Sequence, residues 1–308
     1  MTSELNVKLA ELKLRNPTIL ASGFLGVSGK LLKRVAMVGA GAVTTKSVGK
    51  EPRKGHPNPT VLEFDSWMMN AIGLSNPGYE KFKKEIKIAK EGQVPVIANI
   101  FAGDPEDFAF LAKEMEDAKA DAIELNISCP NLTPGECLGQ SIGKNPDLSY
   151  EVIKAVKKVV KIPVITKLTP NVDDIKVIAE AVERANTDII SAINTVGPGM
   201  VIDVETAKPV LANKFGGLSG PAIHPIAVKC VYDIYKTVKV PIIGIGGISH
   251  GKDAIEMIMA GASAVGIGTA IYYRGIDVFK KVCDEIMEFL DSHGYSSLEE
   301  IRGLAHRD

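Results

Sequence analysis

Short apolar segments alternate along the chain with longer segments in which apolar residues recur every three or four positions. The short segments are typical of strands buried on both faces, and the longer ones of amphipathic helices that cover such strands. After an N-terminal hairpin over residues 5–14, the predicted strands cover residues 17–21, 42–46, 94–101, 122–128, 163–168, 188–195, 240–246 and 264–268. The predicted helices cover residues 30–38, 79–90, 105–118, 150–160, 173–185, 221–236, 252–260 and 278–290.

A strand followed by a helix, repeated eight times, favours an α/β fold of the closed (β/α)8 or TIM barrel type. An open doubly wound sheet is the alternative. We expect a single domain over residues 1–308, with the hairpin at its start and loop insertions at the C-terminal face. The irregular segments 49–77 and 135–147 follow the second and fourth strands, and 196–219 follows the sixth. Loops after barrel strands build the active face, which favours lids over linkers.

Composition narrows the class of protein. The chain has 308 residues, of which 45% are hydrophobic and 24% charged, and its net charge is −1. It has no basic stripe for nucleic acid, no apolar run long enough for a membrane span and no signal peptide pattern. The four cysteines form no CxxC pair, so neither a metal site nor a disulfide framework is indicated. A cytoplasmic protein that binds neither nucleic acid nor membrane is the simplest expectation.

Polar residues and glycines occur where the predicted strands end, and a barrel gathers all these ends around one mouth. This phasing is the strongest indication of an active site that the residues give by themselves. The strand ends carry Ser22-Gly23, Lys46-Ser47, Asn99, Asn126 and Ser128-Cys129, Lys167, Asn194-Thr195, Gly246-Gly247 and Gly268-Thr269.

The glycines after the last two strands predict a phosphate site, because bare backbone N–H groups at these loops bind phosphate in many barrels. Tight strand-to-helix turns are the alternative reading. Gly220 precedes Pro221, which could begin another helix with its positive end at the same anion.

Lys46 and Lys167 each interrupt an apolar run, which predicts buried ammonium groups that need an anionic partner. An internal ion pair is the alternative. Cys129 lies between Ser128 and Pro130 where a strand opens into a loop, so it is a candidate reactive thiol. A small core residue is the ordinary reading of a lone cysteine, and Cys137 is a second candidate.

Several motifs together resemble the dihydroorotate dehydrogenases, and most closely the catalytic subunit of the class 1B enzymes. The string Asn126-Ile127-Ser128-Cys129-Pro130-Asn131, preceded by Asn70-Ala71-Ile72-Gly73-Leu74, is the most specific part. The other matching pieces are Thr45-Lys46-Ser47, Thr166-Lys167-Leu168-Thr169-Pro170, Ile193-Asn194-Thr195, Gly217-Leu218-Ser219-Gly220 and the two glycine motifs.

The resemblance implies an FMN enzyme that oxidises (S)-dihydroorotate to orotate in pyrimidine biosynthesis. It makes Cys129 the base that removes a proton from C5, while hydride leaves C6 for the flavin. The substrate-binding residues that it implies are Lys46, Asn70, Ile72, Gly73, Leu74, Asn126, Asn131, Asn194 and Thr195. The implied cofactor-binding residues are Ala21, Ser22, Gly23, Lys46, Ser47, Asn99, Asn126, Lys167, Ile193, Gly220, Gly246, Gly247, Gly268 and Thr269.

The same resemblance implies partners. Class 1B catalytic subunits form a homodimeric core that joins a second subunit carrying FAD and a 2Fe–2S cluster, giving a heterotetramer that reduces NAD+. Three alternatives remain open at this point. They are a fumarate-linked class 1A enzyme, a dihydropyrimidine dehydrogenase-like flavin enzyme, and a phosphate-binding barrel without catalytic activity.

Overall fold

The computed structural model describes residues 5–129 and 139–307. In chain order its strands are β1 (Val7–Leu9), β2 (Leu12–Leu14), β3 (Thr18–Leu20), β4 (Ala42–Thr44), β5 (Val61–Phe64), β6 (Trp67–Asn70), β7 (Val96–Ile100), β8 (Ala122–Asn126), β9 (Val164–Leu168), β10 (Ile189–Ala192), β11 (Val196–Gly199), β12 (Ile202–Asp203), β13 (Lys208–Pro209), β14 (Gly216–Ser219), β15 (Ile242–Ile245) and β16 (Ala264–Ile267).

The helices enclose the strands and follow them in sequence. They are α1 (Gly29–Met37), α2 (Tyr79–Ala89), α3 (Pro105–Asp117), α4 (Gln140–Gly143), α5 (Pro146–Lys157), α6 (Ile175–Arg184), α7 (His224–Thr237), α8 (Gly251–Met259), α9 (Ala270–Arg274), α10 (Val278–His293) and α11 (Leu298–Ile301). Short 3-10 segments cover Lys90–Gly92, Pro221–Ile223 and Leu304–His306.

Eight of the strands close into a parallel barrel in the order β3-β4-β7-β8-β9-β10-β15-β16, and β16 pairs back to β3. The prediction of a (β/α)8 barrel is confirmed, and the open sheet is excluded by the closing pair. The predicted barrel strands are all present, but each is shorter than its predicted range by one or more residues at one end or both.

The barrel interior is built in layers, because alternate side chains of a strand face the same side. Its lowest layer is wholly apolar and packs against Leu9, Leu12 and Leu14 of the β1–β2 hairpin, which seals this end. The barrel residues of this layer are Ile19, Ala42, Ile97, Ala122, Ile165, Ile189, Ile243 and Ala264. Two positions further along the strands, the buried interior residues are mostly polar: Thr44, Asn99, Glu124, Lys167 and Ser191.

Local sequence accounts for where the helices begin. Asp104 and Asn145 cap α3 and α5 through side-chain oxygens that accept backbone N–H groups, and a proline follows each cap. Because proline lacks an N–H and has a fixed φ, it suits the first helical position. Helix α5 therefore begins at Pro146, four residues before the predicted start, and Asp174 likewise caps α6.

Two segments predicted to be irregular form a second sheet. Strands β5 and β6 from residues 49–77 pair with β14 and β11 from residues 196–219 into an antiparallel sheet of four strands. The strand patterns were weak because β11 and β14 are rich in glycine and because β5 is largely exposed. Only the pairing of distant segments makes them strands. Within the described residues, no helix is both long and apolar enough to cross a membrane.

The hairpin seal gives a stability prediction. Leu9 is fully buried against the lowest barrel layer, so Leu9→Ala should leave a cavity and lower the free energy of unfolding by about 2–5 kcal/mol. Lys8 lies on the exposed face of the same strand, and Lys8→Ala should change it by less than about 0.5 kcal/mol. Equilibrium urea unfolding measures both values, and equal values would show that the hairpin does not seal the core.

Candidate active site

A cavity of about 500 Å³ opens at the ends of the barrel strands, beneath the second sheet. Nearly all the predicted site residues meet there, although they come from eleven separate stretches of the chain. Those lining the cavity are Ala21, Ser22, Gly23, Lys46, Ser47, Asn70, Ile72, Gly73, Leu74, Asn126, Cys129, Lys167, Ile193, Asn194, Thr195, Gly220, Gly246, Gly247, Gly268 and Thr269.

The prediction that Asn99 contacts the cofactor stays a prediction. Asn99 is absent from the cavity wall and fully buried inside the barrel, where its Nδ2 donates to Glu124 Oε2. Asn99 Oδ1 is buried and has no hydrogen-bond partner among the described residues. The predicted substrate residue Asn131 and the alternative thiol Cys137 lie outside the described residues.

Cys129 lies just beyond the end of β8, on the cavity wall and 9% exposed. It packs against Leu74 and Phe101, which form a small apolar cluster with it. This position gives the thiol one side toward the cavity and an apolar surface behind it. A thiol in this setting is suited to proton transfer with a bound molecule, since little water competes for it.

Two lysines lie close to this thiol. Burial lowers the pKa of Lys46, negative charge at Cys129 acts to raise it, and the positive charge of Lys167 lowers it further. Lys167 is 4% exposed, and its Nζ donates to Ser22 Oγ at 3.0 Å from the opposite side of the barrel. The interior of the mouth therefore carries two ammonium groups that would complement an electron-rich ligand.

A directed chain of hydrogen bonds crosses the mouth. Asn194 Nδ2 donates to Ser128 Oγ at 2.8 Å, and Ser128 Oγ donates to Asn126 Oδ1 at 3.2 Å. Asn126 Nδ2 in turn donates to Ser47 Oγ at 2.9 Å. Each amide is thus oriented by its neighbours. Thr195 Oγ1 is buried without a hydrogen-bond partner among the described residues, which leaves a polar group for a ligand.

Another part of the cavity wall is a loop made of Ile72, Gly73 and Leu74. Asn76 fixes this loop, because its Nδ2 donates to Leu74 O at 2.9 Å while its Oδ1 accepts from Gly78 N at 2.9 Å. Gly73 has a φ of +72°, and a Cβ there would lie 2.6 Å from the His56 ring. Glycine is therefore required for the loop to approach this close.

The glycines after β15 and β16 form a cradle for an anion. The N–H groups of Gly247, Ile248, Thr269 and Ala270 donate to no other described residue. A Cβ on Gly268 would lie no closer than 3.6 Å to its neighbours and would fill the space beside these N–H groups. Free N–H groups and open space together are what a phosphate needs.

Several wall residues were missed by sequence reasoning. Val61, Glu63 and Met68 come from the second sheet, and Tyr272 from helix α9. Val61, Glu63 and Met68 were missed because their sheet was not predicted, and Tyr272 because the short helix α9 was not predicted. Glu124 could have been found, because it interrupts the apolar run of β8 as Lys167 interrupts that of β9.

The sequence matches the dihydroorotate dehydrogenase family over residues 4–290. The chain belongs to the dihydroorotate dehydrogenase family. It is similar to the catalytic subunits of NAD(+)-dependent dihydroorotate dehydrogenase B from Methanocaldococcus jannaschii, at 54% identity over 306 residues, and from Methanothermobacter thermautotrophicus, at 49% over 302 residues. Both alignments cover 98% of each chain.

The fold is also found among solved structures. A dihydroorotate dehydrogenase from Eimeria tenella, solved in complex with ferulenol, superposes with a TM-score of 0.86. The match covers 99% of this chain and 89% of the other at 24% sequence identity, so it bears on the fold alone.

Enzymes of this family bind FMN, and the residues present fit it. The cradle beyond β15 and β16 suits the phosphate, and the open position beside Gly268 leaves room for it. Lys167 at the barrel mouth suits the edge of the flavin ring that gains negative charge on reduction. Among the described residues, no group of three or more His, Cys, Asp or Glu side chains is arranged to hold a metal ion.

The other two described thiols, Cys230 and Cys283, should react slowly in the folded protein. Burial raises the pKa of Cys230 and of Cys283 to about 11, and in Cys283 a hydrogen bond with Thr18 only partly offsets this. At pH 8 about 0.1% of each should be thiolate, so iodoacetamide should alkylate them about a hundredfold more slowly in native protein than in urea. Peptide mass spectrometry measures the rates, which should rise toward pH 11. Fast native labelling at pH 8 would contradict this.

Proposed function

We propose that this protein oxidises (S)-dihydroorotate to orotate in pyrimidine biosynthesis, using FMN bound at the barrel mouth. The observation that carries the proposal is the meeting of a thiol, two lysines and an anion cradle around one cavity, in a chain of this family. A barrel that merely binds phosphate would give Cys129, Lys46 and Lys167 no task.

In the proposed reaction Cys129, as thiolate, takes the proton from C5 of the substrate. This proton is weakly acidic because it is next to a carbonyl group, so its removal needs a base held in place. FMN, when bound, supplies the acceptor for the hydride that leaves C6. Leu74 and Phe101 keep water from the thiol, and the proton that it gains returns to solvent after orotate leaves.

The amides hold the flat ring of the substrate. Asn70, Asn194 and Thr195 line the same cavity as Cys129, and planar amides offer both donors and acceptors to imide and carboxylate edges. Lys46 adds positive charge near the thiol, which favours a thiolate and a bound carboxylate. Thr195 Oγ1, which has no partner among the described residues, provides one more hydrogen bond, and Asn131 is proposed as a further substrate contact.

We also propose the route by which electrons leave. The relatives are named as catalytic subunits of an NAD(+)-dependent enzyme, so a second subunit is expected to pass electrons to NAD+. Its carriers are proposed to be FAD and a 2Fe–2S cluster, since such clusters need four closely placed ligands and the four cysteines of this chain are widely spaced. A homodimer of this chain with two such subunits is the proposed assembly.

The substrate is tested by flavin reduction without oxygen. FMN-loaded protein should lose its flavin absorbance when (S)-dihydroorotate is added, because the substrate carries a carboxylate that suits the lysines and amides of the cavity. Dihydrouracil, which lacks this carboxylate, should reduce the flavin far more slowly. Faster reduction by dihydrouracil would favour the dihydropyrimidine dehydrogenase-like alternative. No reduction by either compound would refute the proposal.

The base is tested by substitution. Cys129→Ala should slow flavin reduction by dihydroorotate by roughly 10²–10⁴-fold, the usual effect of losing a general base, while FMN stays bound. Stopped-flow absorbance at single turnover measures the rate. Cys230→Ala is the matched control, since that thiol lies on α7 away from the cavity. A near-normal rate for Cys129→Ala would move the role to another group, first to Cys137.

A further inference from the structure

His224 lies directly behind the anion cradle, although it does not line the cavity. It is the first residue of helix α7, 8% exposed, and its Nδ1 lies 2.8 Å from Gly246 O. Because a carbonyl oxygen can only accept, Nδ1 carries the proton and donates it. Nε2 makes no hydrogen bond with any described residue, although Glu256 Oε2 is 3.3 Å away.

This hydrogen bond fixes the direction of one peptide group. In a planar trans peptide the C=O and the following N–H point to opposite sides. With Gly246 O tied to His224, the N–H of Gly247 must point away from the helix. Gly247 lines the cavity, and its N–H donates to no other described residue.

Such a constraint is needed because the peptide joins two glycines. Gly246 has a φ of +140° and Gly247 of +70°, and glycine changes between such conformations at little cost. A rotated peptide would turn the Gly246 carbonyl toward the anion and repel it. His224 also packs closely here, since a Cβ on Gly247 would lie only 2.7 Å from His224 Cβ.

We infer that His224 is a positioning residue of the cofactor phosphate site, which acts by aiming the Gly247 N–H into the cradle. The inference rests on the proposed binding of FMN. The described cavity wall carries two cations. Lys46 follows β4 and Lys167 lies on β9, whereas the cradle follows β15 and β16. No lysine or arginine of the described cavity wall follows β15 or β16, so phosphate binding at the cradle relies on neutral groups, among them these backbone N–H groups.

Three substitutions separate the hydrogen bond from the bulk of the ring. In His224→Asn the side-chain amide nitrogen takes nearly the place of Nδ1, so the donor to Gly246 O is kept. His224→Gln carries the same amide one carbon further out and loses the alignment, and His224→Leu has no donor. Glu256→Gln is the control for charge, because Glu256 faces Nε2 and not Nδ1.

The measurement compares FMN with riboflavin, which is the same flavin without the phosphate. Apoprotein is titrated with each, and quenching of flavin fluorescence gives the two dissociation constants. The wild type should prefer FMN. In H224L and H224Q this preference should fall roughly tenfold, the usual effect of a lost hydrogen bond to a charged group, while riboflavin binding is unchanged. In H224N and E256Q the preference should stay within about twofold of the wild type.

The outcomes separate the inference from the proposed function. Wild-type protein that binds neither flavin would overturn both. A wild type that prefers FMN, together with an unchanged preference in H224Q and H224L, would overturn the role of His224 alone. Equal weakening of both flavins would do the same, since that indicates general damage, and so would an equal effect of E256Q. Asn and Gln differ by one methylene, so this pair decides the matter even if H224L does not fold.

Discussion

Closure of eight parallel strands is the constraint on which the rest of this molecule depends. Once β16 pairs with β3, alternate side chains of every strand are forced into one interior, and all the strand ends face one mouth. The lowest interior layer is apolar and is sealed by the hairpin leucines, so it supplies the core. The layers above it are free to be polar, because their side chains find hydrogen-bond partners on other strands of the barrel.

The polar layers show how a buried site is kept ordered. Glu124 is 3% exposed, and it accepts from Asn99 Nδ2 and, at 2.8 Å, from Ser191 Oγ. These bonds satisfy the carboxylate inside the barrel, which would otherwise be costly to bury. One layer higher, the chain from Asn194 to Ser47 orients each amide at the mouth. The proposed chemistry therefore rests on side chains whose directions are already set before a ligand binds.

Backbone groups serve the other end of the cavity. Free N–H groups after β15 and β16 can bind an anion only if the peptides are turned the right way, and glycine alone does not ensure that. The contact between His224 and Gly246 provides such control from outside the cavity. The second sheet also positions residues of the cavity wall. By pairing β6 with β14 it brings Asn70 and Ser219 to this wall from segments far apart in the chain.

The sequence by itself determined the eight strand-and-helix units, the positions of Cys129, Lys46 and Lys167 at strand ends, and the glycines of the cradle. These follow from local patterns, because the order of apolar and polar residues within a short segment is enough to indicate a strand buried on both faces or an amphipathic helix. The tertiary structure alone decided that β5, β6, β11 and β14 form a sheet, that Asn99 turns to Glu124, and that His224 reaches Gly246. Each of these depends on contacts between residues far apart in the chain, which no local pattern encodes.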